Sequence, residues 1–367
     1  MSSRPPFRAE HVGSLLRPAV VLDARASRER GLLDAAGLRA VEDAAIAAMI
    51  PKLEATGIRS ISDGEFRRAW FHLDFLEQLD GIAVTGSIAS SSGSQGTVGM
   101  TPPKLSVTGP LRHRRSIQVE DFRFVAAHTD LMAKVAIPSP TMAHFRGGRA
   151  GIDIEAYPDL DQFFEDLAQC YREEIADLYA AGCRYLQLDD TNLAYLCDPV
   201  MRQGAVDRGD DPDELPRTSA ALINRALDGR PADLTVGIHL CRGNFKSTHF
   251  ASGSYEAVAE VLFNEMNVDA YFLEYDDERS GGFEPLRFFP KDKQLVLGLV
   301  TSKTAVLERP EELKARVDEA ALYVALDQLC LSPQCGFSST VHGNLITEED
   351  QWAKLRLVVQ VAADIWR

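Results

Sequence analysis

Along the chain, short β-rich apolar runs alternate with longer stretches in which apolar residues recur every three or four positions, the pattern of repeated βα units around a parallel sheet. Candidate strands are His11–Leu15, Ser60–Asp63, Lys134–Ile137, Tyr185–Asp189, Thr235–His239, Tyr271–Glu274, Leu295–Leu299 and Leu329–Leu331, eight in all. Helical period is clearest over Leu160–Ala181, Ser254–Met266, Glu311–Leu329 and Glu348–Trp366, each with one apolar face suited to an outer layer. Strands apolar at nearly every position are covered on both sides. Eight of them favour an α/β fold built as a single (β/α)8 TIM-type barrel, one domain over residues 1–367, rather than an open doubly wound sheet.

The connection from the second to the third strand is unusually long, an insertion at about 80–115. It holds the Gly/Ser-rich stretch Gly86–Gly99, which reads as a lid or a flap, and then a hairpin pattern around Leu105–Leu111. A second loop over the same face is expected from Asp198 to Arg217, rich in Asp, Pro and Arg.

Composition removes several function classes. With 45% apolar and 25% charged residues the chain has ample material for a core and is not globally disordered. A formal net charge of −15 argues against nucleic acid as a main partner, because phosphate binding relies on clustered Lys and Arg. No run approaches the roughly 18 consecutive apolar residues of a membrane span, and the first residues lack the apolar core of a secretory signal. A cytoplasmic location is therefore expected, and a homo-oligomer is compatible with the sequence. Six cysteines are too sparse for a disulfide scaffold. Cys170, Cys183, Cys197 and Cys330 sit in helical or apolar contexts and read as packing residues.

Active sites of such barrels gather at the C-terminal ends of the strands, so polar residues there carry the candidate chemistry. The fifth strand runs into His239-Leu240-Cys241, and side chains two apart on a strand share a face, so His239 and Cys241 can meet one ion. The sixth ends at Glu274, and the eighth leads to Cys335, 96 positions after His239 (335 minus 239). Ligands so far apart converge only in a finished fold, which favours a catalytic ion over a local structural one. Imidazole, carboxylate and two thiolates select Zn2+ over magnesium or calcium. Those anions outweigh the divalent charge, which suits the site less to making hydroxide than to holding a substrate thiol as a nucleophilic thiolate. Glu274, the hardest ligand, is the one expected to give way to incoming sulfur. Plainer readings stand beside these: His239 as a satisfied core histidine, Cys335 as a small hydrophobe, and Glu274 as one solvated acid beside Asp276 and Asp277.

Together these residues resemble the catalytic barrel of the cobalamin-independent methionine synthases. The likeness spans nearly the whole chain and rests on His11-Val12-Gly13-Ser14, Ser62-Asp63-Gly64-Glu65, Leu186-Gln187-Leu188-Asp189-Asp190, the His239 and Cys241 pair, Glu274 and Pro333-Gln334-Cys335-Gly336. It is closer to the short, single-barrel members. The resemblance implies that His239, Cys241, Glu274 and Cys335 hold zinc, that Ser14 receives the amino-acid carboxylate, and that Glu65 and Asp189 hold the ammonium group of homocysteine. The implied reaction is S-methylation of homocysteine to methionine from a small or folate-type methyl donor. An acidic pair at two strand ends agrees, since it needs a cationic partner.

Three features depart from the long members of that family. Their additional N-terminal barrel is absent from these 367 residues. Thr301-Ser302-Lys303 stands where they place a proton-donating histidine, which makes Lys303 the candidate replacement. Pro138–His144 lacks the tryptophan they offer to the pterin. Two alternatives follow. One is alkylation of another thiol such as coenzyme M, whose sulfonate would need Arg17, Arg67, Arg68 or Lys303. The other is a metal-free lyase or decarboxylase on a related barrel.

Overall fold

Most of the apolar runs become strands, and most amphipathic stretches become helices laid against them. The computed structural model describes residues 4–87 and 103–366. In chain order come helices α1 (Ala19–Glu29) and α2 (Ala35–Ala55), strand β1 (Ser60–Ile61), helix α3 (Leu73–Leu76), strands β2 (Asp80–Ser87) and β3 (Pro103–Arg112), and helix α4 (Val119–Ala126). Strands β4 (Met132–Ala133) and β5 (Val135–Pro138), helix α5 (Leu160–Ala180), strand β6 (Tyr185–Asp190) and helices α6 (Asn192–Tyr195), α7 (Pro199–Asp207) and α8 (Leu215–Ala226) follow. The last elements are β7 (Thr235–Leu240), α9 (Ala259–Glu265), β8 (Ala270–Glu274), β9 (Gln294–Val300), α10 (Pro310–Ala320), β10 (Leu329–Pro333) and α11 (Glu348–Ile365).

The fold is α/β, organised by a parallel sheet. Strands β5 to β10 lie side by side in chain order, every pair parallel, with Asp189 in register with His239 and Glu274 with Gly298. All residues of β5, β6, β8 and β10 are buried, as expected for strands covered on both faces. The helices show the anticipated spacing: α2 buries Ile46, Met49, Ile50 and Leu53, and α5 buries Phe163, Leu167, Tyr171, Ile175 and Leu178. Burial of each such apolar side chain contributes about 1.5–3 kcal/mol, so packing rather than helix propensity holds these helices. Cys170, Cys183, Cys197 and Cys330 are buried among apolar side chains.

The two edges of the sheet differ from expectation. His11–Leu15 is not a strand; the segment touches the sheet through an Ala9–Leu331 bridge, with Glu10 N–H donating to the Leu331 carbonyl at 2.9 Å. Gly13, at φ +152°, breaks the extended run, and a Cβ there would fall 2.8 Å from Glu65 Oε1. Side chains replace the ladder: His11 Nε2 meets the Ser60 carbonyl at 2.9 Å, and Ser62 Oγ donates to the Gly13 carbonyl at 3.0 Å. At the other edge, β4 pairs with β1 through Ser60–Met132 and Ile61–Ala133, one residue before β5 begins. Among the described residues the ladders do not close into a ring.

Leu105–Leu111, expected to form a hairpin by itself, is instead part of the single strand β3, which pairs antiparallel with β2, Ile82 opposite Val107. Most of the Gly86–Gly99 stretch lies outside the described residues. The expected loop from Asp198 to Arg217 is instead largely helical. Asp198 caps α7, accepting from the Val200 N–H at 2.9 Å, and Pro199 fills the first helical position, where a missing N–H costs nothing.

Candidate metal centre

Strand β7 delivers His239 and, one residue past its end, Cys241, whose N–H donates to the Asp190 carbonyl at 2.7 Å and so continues the line of the sheet. Glu274 is the last residue of β8. Cys335 needs a special approach, because the register of β10 against β9 shifts between Ser332 and Pro333. Gly298 makes room at this crossing, where a Cβ would sit 2.7 Å from Gln334 Cα. Gln334 then anchors the turn: its N–H donates to the Val300 carbonyl at 2.8 Å, and its Oε1 accepts from the Ser302 N–H at 2.7 Å and Oγ at 2.9 Å. One ligand atom from each of His239, Cys241, Glu274 and Cys335 ends within 4.8 Å of the others, with all four residues buried.

These residues fit a metal ion. Both His239 nitrogens are buried without a hydrogen-bond partner among the described residues. Such orphaned polar groups cost about 1–3 kcal/mol each, a penalty that a shared cation removes for one nitrogen by coordination. The Cys241 and Cys335 sulfurs are 3.4 Å apart, and the hydrogen bond between them pushes Cys335 well below the ordinary thiol range and Cys241 well above it. Burial alone would lower His239, yet Cys335, Asp189 and Glu274 carry it up to about 9. The pocket therefore attracts positive charge, and its two sulfurs, imidazole and carboxylate are the donor set of zinc. Glu274 is already engaged, with Oε1 accepting from the Arg242 N–H at 3.0 Å and Oε2 from Arg279 Nη2 at 2.8 Å. Burial would raise its carboxyl, but Lys303, Arg279 and His239 hold it at about 2.

A cavity of about 200 Å³ is lined by His239, Cys241 and Cys335 together with Ser14, Glu65 and Asp189. Six of the eight residues singled out from sequence thus face one space. Glu65 sits at φ +58°, a left-handed conformation steadied by its N–H donating to Asp63 Oδ1 at 2.8 Å. Burial pushes its carboxyl up to about 7, opposed by Arg68 at 3.7 Å and reinforced by Asp189 and Asp63. Asp189 is raised by burial too, while His239 and a 2.6 Å hydrogen bond from Gln187 oppose the shift. Two buried acids on one cavity ask for a cation. Gly336 admits Ser14, whose Oγ lies 1.9 Å from where a Cβ would be.

Lys303 is not brought into the cavity lining; it is buried with its Nζ 3.7 Å from Asp276 Oδ2. Asp190 caps the following turn, accepting from the Leu193 N–H at 2.9 Å and from Thr141 Oγ1. Sequence reasoning missed most of the remaining wall. Trp70, Phe145, Tyr195 and Phe245 line the cavity with Arg146 and Arg208, whose guanidinium groups lie 5.8 Å over Tyr195 and 5.7 Å over Phe145. A tryptophan is therefore present, but it comes from the loop after β1 rather than from the third strand. The adjacent triplet Trp70-Phe71-His72, shortly after Glu65, was the available signal.

The family model described as "Cobalamin-independent synthase, Catalytic domain" matches residues 7–364. YxjH of Bacillus subtilis, an uncharacterized protein, is 47% identical over 367 residues, covering 99% of this chain and 96% of its own length. A Listeria monocytogenes crystal structure, described as that of a "Putative Vitamin-B12 Independent Methionine Synthase", superposes with a TM-score of 0.80 at 41% identity and covers 100% of both chains. A methionine synthase of Pyrococcus abyssi is 26% identical over 330 residues, covering 89% of this chain and 84% of its own.

Proposed function

This chain belongs to the cobalamin-independent synthase catalytic-domain family, and from that premise we propose that it is a zinc-dependent thiol S-methyltransferase that makes methionine from homocysteine. The observation that carries the reading is a four-ligand cluster with an unsatisfied buried imidazole, opening on the same cavity as a buried acid pair. The proposal includes one domain closed as a (β/α)8 barrel. Its support is the Ala9–Leu331 bridge at one edge, the β1–β4 pair at the other, and a shared apolar cluster of Val12, Tyr185, Phe272, Val296 and Cys330.

His239, Cys241, Glu274 and Cys335 would hold the zinc, which would supply a means of keeping a thiol sulfur deprotonated yet nucleophilic at neutral pH. The chain's own residues supply placement. Glu65 and Asp189 take the ammonium group, and Ser14 takes the carboxylate. That grip aims the amino acid's sulfur at the corner formed by His239, Cys241 and Cys335. The aromatic and basic part of the wall suits a planar, negatively charged methyl donor of folate type better than a sulfonium cation, which Arg146 and Arg208 repel.

An amino-acid thiol is preferred over coenzyme M because the acid pair Glu65 and Asp189 on the cavity wall disfavours a sulfonate, and Arg17 and Arg67 are occupied elsewhere. Arg17 donates to the carbonyls of Glu65, Arg68, Ser338 and Thr340, and Arg67 pairs with Asp43 and Asp121. The test is elemental analysis of the purified protein, then product mass spectrometry with homocysteine and a panel of methylated folates, sulfonium compounds and thioethers. Methionine formed by the zinc-loaded protein is the expected result. Zinc-loaded protein that neither binds homocysteine nor yields methionine with any donor overturns the reading.

A further inference from the structure

Behind the metal-ligand carboxylate, four buried charges are balanced among themselves. Arg279 Nη2 donates to Glu274 Oε2 at 2.8 Å and to Asp276 Oδ1 at 2.6 Å, while its Nη1 pairs with Asp277. Lys303 Nζ lies 3.7 Å from Asp276 Oδ2. The side chains of Glu274, Asp276, Arg279 and Lys303 are 0%, 1%, 5% and 8% exposed, so these contacts are little screened by water. The buried part of the cluster holds two acids and two bases, and Asp277, half exposed, adds a third acid at its edge. The rest of the ligand set is the reverse, with an imidazole lacking hydrogen-bond partners among the described residues and two sulfurs 3.4 Å apart.

A carboxylate shared with a guanidinium has part of its charge committed there and donates less to a metal ion than a free one. Arg279 is itself held in place. Its carbonyl accepts from the Gly253 N–H at 2.7 Å, its N–H donates to Asp277 Oδ1 at 3.0 Å, and Gly281 closes the turn at φ +71°. A guanidinium fixed this way acts as a stationary second partner for Glu274. A carboxylate leaving a metal ion inside a buried site must go to another cation, because an unpaired buried charge is strongly unfavourable. Arg279 is already in contact with it.

We propose that Arg279 is a positioning residue that keeps Glu274 a weak, exchangeable ligand and takes over its carboxylate when the substrate thiol enters. The inference rests on the zinc and thiol reading above. An arginine that merely supported the ligand would strengthen metal binding, and its loss would lower metal affinity by about 10–100-fold. The proposed role has the opposite consequence: without Arg279 the carboxylate is free to bind the ion harder and the thiol displaces it less readily.

The test uses the full chain as wild type, Arg279→Met and Arg279→Lys, loaded with zinc or with cobalt(II) as a spectroscopic substitute. Metal affinity is measured by chelator competition. Homocysteine affinity is read from the rise in cobalt–thiolate absorption, and KM and kcat are measured alongside. Arg279→Met is expected to hold metal at least as tightly as wild type and to bind homocysteine about tenfold more weakly, with KM rising more than kcat falls. Arg279→Lys falls between, since a lysine ammonium lacks the fork that engages both acids. In a Glu274→Ala background, adding Arg279→Met leaves homocysteine affinity unchanged, because there is no carboxylate left to hold. Weakened metal binding with unchanged homocysteine affinity overturns the proposal. Should the Met variant fail to fold, the same comparison with Arg279→Lys decides it. Wild-type protein that takes up cobalt but gives no new thiolate absorption with homocysteine sinks the underlying zinc and thiol reading instead.

Discussion

Methionine is expected to bind this protein about tenfold more tightly at pH 8 than at pH 6, and Glu65 is the reason. Its carboxyl is pushed up to about 7, chiefly by burial, with Asp189 and Asp63 adding to the shift and Arg68 and Arg17 opposing it. Holding an ammonium group requires the ionised form. A group titrating at about 7 is about 9% ionised at pH 6 and about 91% at pH 8, a ratio of about ten, or about 1.4 kcal/mol. The sign is that of a raised carboxyl: the proton bound at low pH competes with the ligand, so affinity grows as pH rises through the folded value. Methionine is the right probe because its thioether does not titrate and its ammonium group stays charged over this range. Isothermal titration of zinc-saturated protein across the interval measures the effect. In Glu65→Gln the slope disappears, and binding at pH 8 weakens by about 1.5–3 kcal/mol through loss of a charge-assisted hydrogen bond. A dissociation constant flat between pH 6 and pH 8, or a slope that survives in Glu65→Gln, would refute the assignment.

Three further outcomes follow from the same geometry. Cys241→Ser and Cys335→Ser each lose a sulfur donor and are expected to drop zinc affinity by at least about two orders of magnitude and to abolish turnover, measured by metal stoichiometry after dialysis and by product formation. Gly336→Ala places a methyl group against Ser14 Oγ, within 1.9 Å before relaxation; it is expected to destabilise by about 1–3 kcal/mol and to weaken methionine binding, read from thermal unfolding and titration. Trp70→Ala removes an aromatic wall of the cavity and is expected to raise the donor KM while homocysteine affinity holds, and equal losses for both substrates would show that the two do not occupy separate parts of the cavity.

Much of the sheet was legible in the sequence. The runs ending at Glu274 and Leu299 are apolar at almost every position, the pattern of strands covered on both faces, and those ending at Asp189 and His239 keep an apolar majority or an apolar centre between polar ends. The members of the candidate metal cluster were legible for a related reason: His239, Cys241 and Glu274 lie where strands end, and the fold brings their donor atoms together with Cys335. The first strand was misread because apolar pattern does not report backbone conformation. Gly13 interrupts His11–Leu15, and side chains of His11 and Ser62 carry the hydrogen bonds a ladder would have made.

What the sequence determined by itself is the set of segments to be buried and the residue chemistry at their ends, since periods of two and 3.6 are imposed locally by the backbone. Tertiary structure alone decided which loops share the cavity wall, and so placed Trp70, Arg146 and Arg208 beside ligands far away in the chain. It also decided that Lys303 stands behind Glu274 and that Arg279, in a short turn with no periodic mark, holds the carboxylate. Such pairings depend on how distant strand ends and loops converge when the sheet and helices pack. That convergence is a long-range property, which no local pattern encodes.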